Sequence, residues 1–306
     1  MTDFPIIDAH IHICRCVNGF GAEGELQAVG KGYVEYASGN RFPMIPPELG
    51  EYDVTPEAVL RILDQEGVSK AVMMQGNFLG QQNLYTYDAM KKYPHRLIGA
   101  ASYDPFCRKY KEVRNHFFEE LGFHIVKFEV STGSGLMSYH HDFNLAGDMM
   151  EEALSYAEAH HHTVVFDIGR QNNPCWQPEN LAKAAKRHPS LQFVVCHLLA
   201  PQGLAQKDAW FEALNMLNLE NVVFDISSLP ASQKPETYPY PTAIYFMKKA
   251  INLFGADRLM WGSDLPSNLC KDSYRHLIDH ILLSNEFTDR DKENIFYQVA
   301  EKIYFN

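Results

Sequence analysis

The sequence contains few basic residues and no cluster of them. Its 306 residues include 27 Lys and Arg against 38 Asp and Glu, a net charge of -11. This negative balance disfavours nucleic acid or an anionic membrane as the main partner. No apolar segment approaches the roughly 18 uncharged residues of a membrane span, and the N-terminus lacks the basic and apolar regions of a signal peptide. We therefore expect a cytoplasmic protein without nucleic-acid or membrane partners; the oligomeric state stays open, a homo-oligomer included.

Cysteines are few and no Cys-x-x-Cys pair occurs. The six are Cys14, Cys16, Cys107, Cys175, Cys196 and Cys270. Their scatter through a long chain argues against both a disulfide framework and a zinc ribbon. Cys14 and Cys16 follow two histidines, but a pair with one intervening residue is a weak metal signal. We expect mostly reduced thiols.

The chain also lacks a Gly-, Ser- or Pro-rich linker that would divide it. Instead, short apolar runs alternate with helical patterns from end to end, which favours one domain over residues 1–306. Eight runs are rich in Val, Ile, Phe or Leu, as parallel strands buried on both faces should be. They cover residues 6–13, 70–75, 97–103, 125–130, 163–168, 191–197, 221–226 and 259–264. The fold class is therefore α/β, and eight strands predict a closed (β/α)8 TIM barrel.

Helical patterns fill most of the intervals between these runs. They cover residues 55–66, 145–160, 177–187, 208–217 and 240–254, with a further pair after the last strand. Residues 14–53 break the rhythm, because they are Gly-rich, polar and too long for an ordinary connection. We expect them to form a long loop over the mouth of the barrel, although a decorative insertion also fits.

Two histidines stand in the first predicted strand, Ile6-Ile7-Asp8-Ala9-His10-Ile11-His12-Ile13. Strand side chains alternate with period two, so Asp8, His10 and His12 should face the same side. An interior face is costly for imidazoles, and a bound metal is a common reason to place two there. Hydrogen-bonded core histidines explain the spacing equally well, so the pair alone does not decide between the two interpretations.

Polar residues at the carboxyl ends of the other predicted strands favour the metal interpretation. In a barrel these ends meet at one mouth. The residues are Lys127 and Glu129 on the fourth strand, Asp167 on the fifth, His197 on the sixth, Asp225 on the seventh and Asp264 on the eighth. Imidazoles and carboxylates from separate strands bind Zn²⁺ or a comparable divalent ion while leaving a position open for water.

Three motifs resemble those of the amidohydrolase superfamily. They are Asp8-Ala9-His10-Ile11-His12-Ile13, Val194-Val195-Cys196-His197 and Trp261-Gly262-Ser263-Asp264. Residues 93–104 and 184–197 are similar to the branch that contains aminocarboxymuconate-semialdehyde decarboxylase-like and lactonase-like enzymes, and the likeness covers essentially the whole chain. The resemblance implies that His10, His12 and Asp264 bind one divalent ion, Zn²⁺ or alternatively Mn²⁺. It also implies that His197 lies beside the ion, where it activates water or polarises the substrate.

One position departs from the family pattern. Many relatives have a histidine at the end of the fifth strand, where this chain has Asp167. A carboxylate can replace an imidazole as a ligand, so we expect Asp167 to complete the metal site. The alternatives are a weakened or absent metal, or a structural Asp167 that caps the entry to a helix or pairs with Arg170.

Three further residues are candidates for substrate binding. Arg170 follows the fifth strand and could clamp a carboxylate through two hydrogen bonds, although a surface salt bridge fits as well. Lys127 is expected to be a core cation neutralised by Glu129 or by a substrate carboxylate. In binuclear relatives a carboxylated lysine stands on this strand, and that role is the alternative for Lys127.

These residues predict a metal-dependent hydrolase that acts on an ester, lactone or amide bond of a small molecule bearing a carboxylate. Asp264 or His197 would accept a proton from water, and His197 would stabilise the developing oxyanion. Nonoxidative decarboxylation of an aromatic or enoic acid is the alternative, because the same residues serve both reactions. A catalytically silent binding barrel is a third hypothesis.

Overall fold

The computed structural model describes residues 3–141 and 143–306. The predicted domain over 1–306 therefore lies partly outside the described residues, and its extent stays a prediction. Within the described ranges we label the strands in chain order. They are β1 (Ile6–Ile11), β2 (Asn18–Gly21), β3 (Gly24–Gly30), β4 (Tyr33–Tyr36), β5 (Arg41–Pro43), β6 (Val68–Met73), β7 (Leu97–Gly99), β8 (Ile125–Glu129), β9 (Thr163–Asp167), β10 (Gln192–Val195), β11 (Val222–Asp225) and β12 (Leu259–Met260).

The α-helices are labelled in the same way. They are α1 (Pro56–Glu66), α2 (Asn83–Lys92), α3 (Tyr110–Asn115), α4 (Asp148–Ala159), α5 (Pro178–Arg187), α6 (Lys207–Met216), α7 (Leu229–Ser232), α8 (Pro241–Phe254), α9 (Tyr274–Leu282) and α10 (Asp289–Glu293). Helix α1 begins and ends within one residue of the predicted range 55–66, and its two caps explain this agreement. Thr55 Oγ1 accepts a hydrogen bond from Ala58 N at 3.1 Å, and Gly67 ends the helix with a φ of 74°.

Strands β1 and β6 to β12 form a ring of parallel strands. One sheet has the order β1-β6-β7 and the other has the order β12-β11-β10-β9-β8. At the first seam between them, Ala101 N donates to Ile125 O at 2.9 Å and Lys127 N donates to Ala101 O at 2.9 Å. At the second seam, Ala9 N donates to Trp261 O at 3.0 Å. The predicted (β/α)8 barrel is confirmed.

The apolar side chains of the barrel strands form an inner and an outer layer. Ile7, Val72, Val165, Val194 and Met260 belong to the inner cluster, which fills the barrel. Outward-facing aromatic residues on β8, β9 and β10 join the surrounding helices in the outer cluster. This two-sided burial explains why the strands read as continuous apolar runs in the sequence.

The C-terminal helical turns close the amino-terminal end of the barrel. Val299, Ala300 and Tyr304 belong to the same inner cluster as the barrel side chains. The carbonyl of Tyr304 lies 3.3 Å from His124 Nε2, directly before β8. The open mouth is therefore at the opposite end, where the strands end.

Residues 14–53 are more ordered than the sequence predicted. They contain the four-stranded antiparallel sheet β2-β3-β4-β5, so the prediction of a long loop is wrong. Their predicted position over the mouth is correct. Gly19 has no room for a Cβ against the backbone of Phe78, after β6, and Tyr36 Oη lies 2.9 Å from Ser134 Oγ, after β8. Frequent glycine and short strands made this sheet resemble a loop.

Several predicted strand ends extend past the regular ladder. β7 ends at Gly99, β10 at Val195 and β12 at Met260. His197 and Asp264 therefore lie in irregular segments with φ values of 58° and 54°. Within the described ranges, no helix has the length and apolarity that a membrane span requires.

Candidate active site

The first strand carries its two histidines into the barrel, but not together with Asp8. The pairing of β1 with β6 shifts register between Asp8 and Ile11, so simple alternation fails there. Asp8 instead accepts hydrogen bonds from Ser263 N at 2.9 Å and from Tyr274 Oη, on helix α9, at 2.7 Å. The prediction that Asp8 faces the same side as His10 and His12 is wrong. Asp8 ties β1 to the segment that leads to Asp264.

Three ligand atoms converge from two sides of the second seam. His12 Nε2 lies 3.0 Å from Asp264 Oδ1, and His10 Nε2 lies 3.7 Å from the same oxygen. Both histidines are buried, and the three donor atoms lie within 4.8 Å of one another. This spacing suits one ion bound by two imidazoles and a carboxylate.

The second ring nitrogen of each histidine already has a partner. His10 Nδ1 lies 3.1 Å from Asp225 Oδ2, and His12 Nδ1 lies 3.0 Å from Met74 O. Because a carboxylate and a carbonyl can only accept, each Nδ1 must carry the hydrogen in the neutral ring. Burial lowers the pKa of His10 to about 4 and also lowers the pKa of His12. Both Nε2 atoms therefore present lone pairs, as metal-binding imidazoles do.

His12 and Asp264 face each other in a way that calls for a cation. Burial acts to raise the pKa of Asp264, but the imidazoles around it hold that pKa well below its ordinary value, His12 when a proton lies between the two groups and His197 through its positive charge. Asp264 is thus an anion at neutral pH, and its Oδ1 faces the lone pair of His12 Nε2 at 3.0 Å. Two acceptors at this distance repel each other unless a proton or a metal ion lies between them.

Local backbone geometry places Asp264. The residue adopts a φ of 54°, and Gly262 before it passes so close to β1 that a Cβ would lie 2.7 Å from His10 Cβ. Ser228 Oγ donates a hydrogen bond to Asp264 Oδ2. Asn268 Nδ2 donates to Ser228 Oγ at 2.9 Å and to Ser263 O at 3.0 Å, so it fixes the whole turn. The carboxylate is held by contacts from three segments.

His197 lies beside the three ligand atoms as a hydrogen-bond donor. Its ring stacks on His10 with 5.1 Å between ring centroids. Nδ1 lies 2.9 Å from Ser227 O, and Nε2 lies 3.6 Å from Asp167 Oδ2, so both nitrogens face oxygens. Burial acts to lower the pKa of His197, but these carboxylate surroundings, with Asp167 foremost, raise it to about 9. The imidazolium form predominates at neutral pH.

Asp167 belongs with His197 rather than with the three converging ligand atoms. Its Oδ1 accepts from Gly169 N at 2.8 Å while its Oδ2 faces His197. Burial acts to raise the pKa of Asp167, but His197 lowers it to about 2. Arg170 points elsewhere, because it is exposed and lies 3.4 Å from Gln202 Oε1. The alternative in which Asp167 pairs with Arg170 is not observed.

Lys127 is buried inside the barrel. Its Nζ lies 3.2 Å from His10 Nε2, so it reaches the lone pair that a metal ion would use. Burial acts to lower the pKa of Lys127, but the surrounding acidic groups, Asp167 and Glu129 among them, raise it. Glu129 accepts from Asn77 N at 2.7 Å and lies within salt-bridge distance of no lysine in the described part of the chain. Its charge balances Lys127 only at longer range.

Several residues of the site were not assigned a role from the sequence. Asp225 was noted only as the end of a strand, yet its Oδ1 accepts from His197 N at 3.0 Å and from Ser227 N at 3.1 Å. Cys196 forms a second cluster of metal-binding residue types with His10 and Asp225. Ser228 and Asn268 had no recognisable signal, because their contacts depend on turns outside the strands. All six cysteines are free thiols, as predicted.

Known structures share this fold over nearly the whole chain. A probable 2-pyrone-4,6-dicarboxylic acid hydrolase from Acinetobacter baumannii, crystallised with citric acid, is 17% identical with a TM-score of 0.68, and 99% of this chain and 100% of that chain are covered. An amidohydrolase from Burkholderia multivorans with bound zinc is 16% identical with a TM-score of 0.71, and 99% of each chain is covered.

A more distant similarity extends to a decarboxylase. The 2,6-dihydroxybenzoate decarboxylase from Rhizobium is 14% identical with a TM-score of 0.57, and 81% of this chain and 87% of that chain are covered. A comparison with curated proteins found no significant match. The sequence model of the amidohydrolase family, in contrast, matches residues 7–305. The predicted resemblance is confirmed, and the chain belongs to the amidohydrolase family.

Proposed function

We propose that this protein is a metal-dependent hydrolase that cleaves an ester, lactone or amide bond in a small molecule bearing a carboxylate. The observation that carries this proposal is the meeting of His10, His12 and Asp264, where an imidazole lone pair and a carboxylate face each other at 3.0 Å. Such a pair has little use in a structural core, since both groups are acceptors. It is the arrangement expected of metal ligands.

The residues fit one divalent ion. His10 Nε2, His12 Nε2 and Asp264 Oδ1 would hold it, and the nitrogen-rich set favours Zn²⁺, with Mn²⁺ as the alternative. A divalent ion bound there supplies Lewis acidity to the scissile carbonyl and makes water more acidic. Asp167 would become a further ligand only by leaving His197, so we assign it a positioning role. Lys127 would have to give up its contact with His10 Nε2.

The remaining chemistry is assigned to residues around these ligands. Asp264 is the proton acceptor, because Ser228 and Asn268 orient its second oxygen and its carboxylate is ionised. His197 would donate a hydrogen bond to the developing oxyanion from Nε2, because Nδ1 is held by Ser227 O whereas Nε2, 3.6 Å from Asp167 Oδ2, lies beyond hydrogen-bond distance of that oxygen. For Lys127, Glu129 and Arg170 we retain the predicted roles in substrate binding. Lys127 lies beside the ligand set, whereas Arg170 would have to turn away from Gln202 to reach it.

The test is metal content combined with activity in the Asp264→Asn variant. We expect the purified protein to hold about one equivalent of zinc or manganese, and the variant to lose most of it and more than 100-fold in kcat/KM. The matched control is Asp208→Asn, which removes an exposed carboxylate at the start of α6. A metal content and an esterase or lactonase activity that do not depend on Asp264 would exclude the proposal. The silent barrel instead predicts a wild-type protein with no tightly bound metal and no such activity.

Nonoxidative decarboxylation is retained as a second candidate. The buried Lys127 ammonium lies beside the ligand set, where it could hold the carboxylate that leaves as carbon dioxide. The known decarboxylase with the same fold supports this alternative. Products decide between the two reactions. Hydrolysis incorporates labelled oxygen from water into a carboxylate. Decarboxylation instead releases carbon dioxide and adds a proton to the carbon that carried the carboxylate. The six free thiols support our proposal that the reaction takes place in the cytoplasm.

A further inference from the structure

A cavity lies beside Asn268, the residue that contacts Ser228 and Asp264. It is formed by the segments that follow β11 and β12, and its volume is about 140 Å³. One buried water requires only about 15 Å³ by the same measure, so a small organic group has room. Two lysines, Lys234 and Lys271, line this cavity together with Asn268. We call it the lysine pocket.

The carboxylates that line the lysine pocket already have partners of their own. Glu236 accepts hydrogen bonds from Thr242 N at 3.0 and 3.2 Å, at the start of α8. Asp272 accepts from Tyr240 Oη and from Ser273 N, and it lies 2.6 Å from His276 Nδ1. Neither carboxylate forms an ion pair with a lysine of the pocket.

The two lysines lack such partners. In the described part of the chain, no Asp or Glu oxygen lies within 4.0 Å of Lys234 Nζ or Lys271 Nζ. Among the described residues, Lys271 Nζ donates only to the neutral Asn268 Oδ1, at 3.2 Å. Burial and the neighbouring charge of Lys234 lower the pKa of Lys271. Two ammonium groups that repel each other in a concave surface would be stabilised by a bound anion.

Asn268 connects the lysine pocket with the candidate active site. It is only 2% exposed, and its side chain separates Lys271 from Asp264. Its Oδ1 faces Lys271, while its Nδ2 lies 2.9 Å from Ser228 Oγ and 3.5 Å from Asp264 Oδ2. An anion on the lysines would therefore lie one amide group away from the proposed proton acceptor. A molecule with a carboxylate a few bonds from its reacting carbonyl could reach both places.

We propose that the lysine pocket binds the carboxylate of the substrate while the reacting carbonyl lies at Asp264. This inference deepens the proposed function and rests on it for the position of the carbonyl. It defines the substrate as a short acid whose ester, lactone or amide group is separated from the carboxylate by a few carbon atoms. Lys234 and Lys271 supply the charge, and the carbon chain of the substrate would pass beside the Asn268 amide, which lies between the two subsites.

The first test measures anion binding without any reaction. Glutarate is titrated calorimetrically into the wild-type protein and into the double variant Lys234→Met/Lys271→Met. We expect saturable binding that weakens at least tenfold in the double variant and is largely restored in Lys234→Arg/Lys271→Arg. The control is Lys207→Met/Lys249→Met, because these lysines line a separate cavity between α6 and α8. Equal affinity in the wild type and the double variant, or no binding to either, overturns the proposal.

The second test separates this inference from the proposed function. Monoethyl glutarate carries a carboxylate and diethyl glutarate does not, although both present the same ester. In the double variant we expect KM for the monoester to rise at least tenfold relative to KM for the diester. A wild-type protein that hydrolyses neither ester contradicts hydrolysis of such esters, while the glutarate titration still decides the lysine pocket. An unchanged KM ratio in an active enzyme contradicts the pocket alone.

Discussion

Replacing Asp225 by asparagine should weaken the metal site without removing any of its ligands. Asp225 is fully buried, and its two oxygens have different tasks. Oδ1 accepts from His197 N, from Ser227 N and from the Ser227 hydroxyl, while Oδ2 faces His10 Nδ1. An asparagine can keep only one of these positions as an acceptor. Its oxygen should stay where three donors meet, so its NH₂ group must face His10.

This orientation reverses the tautomer of His10. Because an NH₂ group can only donate, Nδ1 must become the acceptor and the ring hydrogen must move to Nε2. That hydrogen occupies the lone pair that points at Asp264 Oδ1, 3.7 Å away. Loss of the hydrogen-bond partner of a ligating histidine typically costs 10- to 100-fold in metal affinity. The lost charge-assisted hydrogen bond should also lower the free energy of unfolding by about 1–3 kcal/mol.

Metal affinity is measured by competition with a chromophoric chelator, and stability by guanidinium unfolding of the metal-free protein. Asp208→Asn again serves as the control, because it makes the same change at an exposed carboxylate. An Asp225→Asn protein that folds and binds zinc with wild-type affinity would refute the reasoning. It would show that Asp225 does not set the hydrogen position on His10.

Two further predictions concern packing and pH. Gly262→Ala should destabilise the protein by about 1–3 kcal/mol and reduce its zinc content, because the new Cβ would lie 2.7 Å from His10 Cβ. The control is Gly133→Ala, where a Cβ meets nothing within 4 Å, and this variant should keep both stability and zinc content. Equal effects of the two substitutions would contradict the steric argument. Burial lowers the pKa of His280 to about 4, so below its ordinary pKa of 6.5 the unfolded chain takes up the proton first and stability is lost as the pH falls towards 4. Between pH 7 and pH 5 this group lowers the free energy of unfolding by about 2 kcal/mol. Guanidinium unfolding at the two pH values should therefore show a drop in stability that is about 2 kcal/mol smaller in His280→Gln than in the wild type. The same pH dependence in both proteins would contradict the assignment to His280.

The barrel could be predicted because its strands are buried on both faces. Runs such as residues 164–166 place side chains in the inner and the outer core at once, and only a sheet covered on both sides requires this. The regular alternation of these runs with helical patterns then predicted the barrel topology. The sheet formed by β2 to β5 escaped prediction for the opposite reason, because its strands are short, half exposed and separated by glycines.

The residues of the site could be predicted only where they lie in an apolar run or close after one. His10, His12 and Asp264 were found as candidates because a barrel brings strand ends together. The error at Asp8 came from a local register shift, which no alternation pattern reveals. Ser228 lies in a left-handed turn with a φ of 57°, and its contact with Asp264 exists only once that turn has formed. The same holds for Lys271, whose position depends on the segment after β12.

The C-terminal turns determine the route by which substrate enters the barrel and product leaves it. Val299, Ala300 and Tyr304 fill the amino-terminal end of the barrel, and apolar side chains occupy its interior up to the level of the histidines. Nothing can pass through the barrel axis, so whatever enters at the mouth must leave by the same opening. The sheet of residues 18–43 narrows that opening from one side. Substrate and product therefore use the same opening. A product that retained the carboxylate would occupy the lysine pocket and inhibit binding of the next substrate molecule.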